Sequence, residues 1–122
     1  KIEVSNGEII DKLTILSIKM ENIKEQEKLE NIEDNIPFKE AADKIGINES
    51  SELYQKLLLV NKNLWDIEDK IRDCERNKDF GDAFTELARS VYITNDERSR
   101  IKREINFSTG SELTEEKSYK DY

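Results

Sequence analysis

Histidine is absent from this 122-residue chain, and cysteine, proline, methionine and tryptophan occur once each. Without histidine, Ser-His-Asp and Cys-His catalysis and His-rich metal sites are excluded within the chain. A lone Cys74 rules out an intramolecular disulfide and gives no support for export. The glycines Gly7, Gly46, Gly81 and Gly110 are isolated and fit neither the P-loop nor the dinucleotide fingerprint. No apolar run exceeds the four residues Leu57 to Val60, so neither a membrane span nor a signal peptide is expected, and the expected location is the cytoplasm. Aromatics make up only 7% of the chain, which disfavours a sandwich or barrel.

Charge is plentiful instead. Charged residues are 39% of the sequence and the net charge is −8, unevenly spread. Met20 to Glu52 holds ten acids and four bases, whereas Arg89 to Gly110 holds five bases and three acids. The acidic stretch disfavours nucleic acid as a partner, because a phosphate backbone is bound through clustered Lys and Arg.

The apolar residues fall into two long stripes at heptad spacing. Leu53, Leu57, Val60, Leu64, Ile67, Ile71 and Cys74 form one; Phe80, Phe84, Leu87, Val91, Thr94, Arg98, Ile101 and Ile105 form the other. With only a tight turn between them, they predict an antiparallel, coiled-coil-like hairpin of helices over 51–76 and 80–107, with Asp79 as a helix cap. Ahead of it, Ser5-Asn6-Gly7-Glu8 reads as a capping box. It opens a first helix over 5–36, roughly 45 Å long if continuous, with the seam Ile9, Leu13, Leu16, Met20 and Ile23. Ile10, Ile15 and Ile18 fall off that seam, so a second apolar face needs a cover, either the chain's own tail or a second copy. Residues 37–50 read as a connector with a short helix over 38–45, and 108–122 as a tail with a short terminal helix. The expected fold is all-α: one domain over 1–122, three long helices in an up-down-up antiparallel bundle, with the tail packed back.

Thr94 and Arg98 interrupt the second stripe where a purely structural hairpin carries Leu or Ile. Folding the hairpin about its turn brings Arg98 near Asn61. Asn61, Trp65, Tyr92, Asn95 and Arg98 therefore form a candidate ligand site. Arg98 would pair with a phosphate or carboxylate, the amides would bond hydroxyls, and an aromatic ring would stack. The alternative is a buried network that fixes helix register, as polar seam residues do in coiled coils.

Asp66, Asp69 and Asp73 share a helix face and could hold Mg²⁺. Lys62, Lys70 and Arg72 also suit that face to ion pairing, so a solvated surface competes, and no cofactor is expected. Glu112, Glu115 and Glu116 form a second acidic group in the tail. Asp11, Lys12, Arg100, Lys102 and Arg103 read as surface charges, and Cys74 as an inert seam residue.

Several strings are distinctive: Val4-Ser-Asn-Gly-Glu-Ile-Ile-Asp-Lys-Leu-Thr-Ile-Leu16, Leu64-Trp-Asp-Ile-Glu-Asp-Lys-Ile-Arg-Asp-Cys-Glu75, Glu86-Leu-Ala-Arg-Ser-Val-Tyr92, Lys102-Arg-Glu-Ile-Asn106 and Gly110-Ser-Glu-Leu-Thr-Glu-Glu-Lys-Ser-Tyr119. Together they resemble a small bacterial domain family of unknown function, with residues 25–51 departing from its pattern. The resemblance implies an association with glycosyltransferase and surface-polysaccharide genes rather than a mechanism.

Three functional expectations follow. The first is a non-enzymatic, homodimeric accessory protein that binds a partner such as a glycosyltransferase, or an anionic sugar-phosphate-like ligand. The second is a Mg²⁺-dependent hydrolase or transferase of nucleotides or nucleotide sugars. The third is a structural oligomerisation module.

Overall fold

The computed structural model of the chain describes residues 4–22 and 36–110. These form helices α1 (Asn6–Asn22), α2 (36–45), α3 (Glu52–Arg76) and α4 (Asp82–Ser108), with no strand among the described residues. The expected continuation of the first helix through Leu29 and Ile32, and the terminal helix with Glu112, Glu115 and Glu116, lie outside the described residues.

Local chemistry sets the boundaries. The Ser5 hydroxyl accepts from the Glu8 amide at 3.2 Å, so half of the expected capping box starts α1. The Glu8 carboxylate reaches across to Lys102 on α4. Gly46, at φ +85°, closes α2 in the left-handed conformation that a side chain disfavours. The fourth helix begins at Asp82, two residues later than expected, because Asp79 does not cap it. The Asp79 carboxylate instead accepts from the Gly81 amide at 3.2 Å and holds an extra turn, with Lys78 left-handed at φ 54°. Phe80 therefore precedes the helix and stacks edge-on against Phe84 at 5.4 Å.

Helices α3 and α4 pack most closely, with the start of α3 beside the end of α4. The core gathers at that end: Tyr54, Leu57 and Val60 of α3 meet Ile101 and Ile105 of α4, Ile9 and Ile10 of α1, and Ala42 and Ile47. Fully buried positions of α3 stop at Leu64 and those of α4 begin at Asp96. Towards the turn, Ile67, Ile71, Phe84, Leu87 and Val91 are only half-buried.

The expected seam of the first helix is only part of its buried surface: Ile9 lies in the core and Leu13 packs against it. The buried residues of α1 include Gly7, Asp11, Thr14 and Ile18, a four-three-four stripe that supplies the contacts to α3 and α4. Leu13, Leu16 and Met20 also line the cleft that faces α2. Ile10 and Ile18 are buried within the single chain, so they call for no second copy. Apolar periodicity missed the stripe that meets α3 and α4 because three of its four residues are polar or have no side chain.

Buried Tyr54 gives the fold an alkaline limit. Burial, and then the nearby Glu49 carboxylate, push its hydroxyl above the ordinary tyrosine value, while the Ser17 hydroxyl pulls it back. The unfolded chain thus releases this proton at lower pH than the folded one. The stabilisation is whole below the unfolded value and is lost as pH rises through the raised one. Above about pH 10, the ordinary tyrosine value, the melting temperature of the wild type should fall more steeply with pH than that of Tyr54→Phe. Parallel slopes in thermal melts would show that Tyr54 does not set this limit.

Candidate functional site

The two flaws in the α4 stripe have different fates. Thr94 is half-buried, while Arg98 forms a fork against the carboxylate of Asp11. Its Nε donates to Asp11 Oδ1 at 2.9 Å, and a second nitrogen makes a close contact with Oδ2. Asn61, from α3, completes the junction. Both hydrogens of its Nδ2 are used, one on Asp11 Oδ1 at 2.9 Å and one on Thr14 Oγ1 at 2.8 Å. The Thr14 hydroxyl in turn donates to the Asp11 carbonyl oxygen at 2.7 Å.

Asp11 is therefore no surface charge: it is 1% exposed at the meeting point of three helices. A carboxylate so deep is tolerable only when its lone pairs are filled by charged or polar donors, and here three donors converge on it.

A polar ladder extends the junction along α1 and α4. The Asn106 carboxamide oxygen accepts from the free Gly7 amide at 2.7 Å, and Asn6 donates to the Thr109 hydroxyl at 2.8 Å. Lys102, 7% exposed at its side chain, pairs with Glu8. Gly7 is required by distance, since a Cβ there would lie 2.5 Å from the Lys102 carbonyl oxygen. Lys12, by contrast, is exposed, with its ammonium 5.5 Å from the centre of the Phe38 ring.

Of the five candidate ligand-site residues, Asn61 and Arg98 are brought together through Asp11. Trp65 and Asn95 are half-buried, and Tyr92 is 44% exposed and hydrogen-bonded with Arg89. Asp11 and Thr14 are the members that sequence reasoning missed. Their spacing from Gly7 and Ile18 was the available signal.

Asp66, Asp69 and Asp73 are exposed, and Asp73 pairs with Arg76. Among the described residues, no three His, Cys, Asp or Glu side chains converge to hold a metal ion, and no helix is long and apolar enough to cross a membrane.

The described residues line a cleft and a groove. A cleft of about 850 Å³ lies between α1, α2 and the start of α3. A groove of about 870 Å³ runs over α3 and α4, floored by Val60 and Ile101 and flanked by Leu59, 61% exposed, and Phe107, 91% exposed.

The junction predicts non-additive energetics. Arg98→Leu leaves a buried carboxylate without its cation and should cost about 3–5 kcal/mol. The double variant Asp11→Leu/Arg98→Leu should cost clearly less than the sum of its singles. A urea-denaturation cycle measures this, and additive losses would refute the coupling. Gly7→Ala should destabilise by about 1–3 kcal/mol by forcing α1 off α4, despite alanine's better helix propensity; a melting temperature at or above wild type would contradict the close approach.

Comparison with curated proteins and with solved structures gives no match to the chain. A family model does match, and it spans residues 1–122. The chain thus belongs to DUF6165, a family of unknown function.

Proposed function

We propose that the protein is a non-enzymatic accessory module that acts as a homodimer, pairing through the groove over α3 and α4. The exposure of Phe107 carries this reading. An aromatic ring 91% in water, at the edge of a groove with an apolar floor and charged walls on its own face, is a knob and a hole on one surface. A two-fold interface needs that self-complementarity, because the same patch serves both partners.

Charge agrees with a second copy. The groove carries both signs, with Lys56, Arg100 and Arg103 against Glu97 and Glu104. Antiparallel pairing of two α4 helices centred on Arg100 sets Ile93 opposite Phe107 and Glu97 opposite Arg103. Each central Arg100 keeps Glu97 of its own helix at 3.4 Å as counter-charge.

In this reading the fold is a bundle of long helices, and Asn61 and Arg98 hold α1 in register rather than bind a sugar phosphate. A glycosyltransferase, the partner class that the family resemblance implies, would engage the assembled dimer.

Sedimentation or light scattering at tens of micromolar should return twice the chain mass. Phe107→Glu should weaken dimerisation at least about tenfold, equivalent to about 1.4 kcal/mol, and leave helicity unchanged because the side chain is exposed. A monomeric wild type, or a Phe107→Glu protein that dimerises equally well, would end this reading.

A further inference from the structure

The cleft between α1, α2 and α3 is independent of the dimer face and has the dimensions of a small-molecule site: its volume of about 850 Å³ lies within the usual range of roughly 300–1,000 Å³. Its inner wall is apolar, built by Leu13, Leu16 and Met20 of α1 together with Ala42, Ile47 and the Tyr54 ring. Its rim is acidic. Glu21, Asp43 and Glu49 stand there against Lys39, and all four are exposed. Glu21 is partly answered by Lys62 at 3.9 Å, whereas among the described residues Asp43 and Glu49 make no ion pair.

We propose that this cleft binds a small amphipathic cation, with an apolar body against Leu16, Met20 and Ile47 and an ammonium head at Asp43 and Glu49. The wall supplies the attraction for the body, since apolar surface leaves water there on binding. The rim sets the sign of the head. Among the described lining residues a carboxylate or phosphate would meet three acids and one base, whereas an ammonium gains from the rim and from the −8 charge of the whole chain. Tyr54 and Ser17, which line the cleft together with Glu49, add neutral hydroxyl groups to it.

The chain carries its own reporter, because Met20 is its only methionine and lines the cleft. Protein labelled with ¹³C at the methionine methyl gives a single resonance, which can be followed while octyltrimethylammonium, octanoate or octanol is titrated in. The cation should shift it saturably, and octanoate should bind at least about tenfold more weakly. Asp43→Asn with Glu49→Gln, both at exposed positions, should weaken the cation roughly fivefold, the scale of partly exposed charge pairs, and leave octanol unchanged. Ala42→Leu should fill the cleft and reduce binding of all three; should it fail to fold, the double amide variant still decides the question. An unmoved Met20 signal, octanoate binding as tightly as the cation, or an unaltered affinity in the amide variant would each overturn the proposal.

Discussion

A single buried carboxylate governs the arrangement of the described helices. Asp11 can sit 1% exposed only while Arg98 and Asn61 supply its hydrogen bonds, and those two residues come from different helices. The apolar contacts of Ile10, Leu57 and Ile105 would tolerate some sliding, since dispersion and burial have little directional preference. The fork of Arg98 against Asp11 would not, because its geometry is fixed in angle as well as distance. Apolar burial thus supplies the driving force, and the ionic junction selects one register.

The same division appears across the two sides of α1. One side meets α4 through amides, a lysine, a glutamate and a glycine with no room for a methyl group. The other side is aliphatic and faces α2 across the cleft. Such an α1 is not an amphipathic helix with a wet face and a dry face. One side is closed by polar groups, and the other lines the cleft with aliphatic ones.

Much of the hairpin was legible because its stripes are almost wholly apolar and its turn is short. The α3 boundaries and the short helix near 38–45 followed from ordinary signals: Ser51 ahead of the first turn, and Gly46 at the end. The polar flaw at Arg98 was legible as an anomaly, and so was its nearness to Asn61. Its explanation was not legible, because it lies on α1. In a chain that is 39% charged, Asp11 beside Lys12 resembles any solvated pair, and Thr14 resembles an ordinary exposed residue. Apolar periodicity weighs Leu13, Leu16 and Met20 more heavily than Gly7, Asp11 and Thr14, so it selects the cleft-facing stripe. The spacing of Gly7, Asp11, Thr14 and Ile18, read together with the complementary flaws on α3 and α4, marks the face that meets those helices. The start of α4 was missed for a local reason, since an aspartate two residues before a glycine can close a turn as readily as cap a helix.

The ladder between α1 and α4 also bears on how the chain acquires its structure. Asn6 and Thr109 are hydrogen-bonded across 103 positions of sequence, and Asp11 and Arg98 across 87. A ribosome delivers α1 long before α4, so Asp11 must stay hydrated until the last long helix has emerged. The aliphatic side of α1 has no such delay, because α2 follows it closely. The first helix is thus free to begin compact association on one side and must wait on the other, and its docking on α4 is a long-range closure that can follow only after α4 is made.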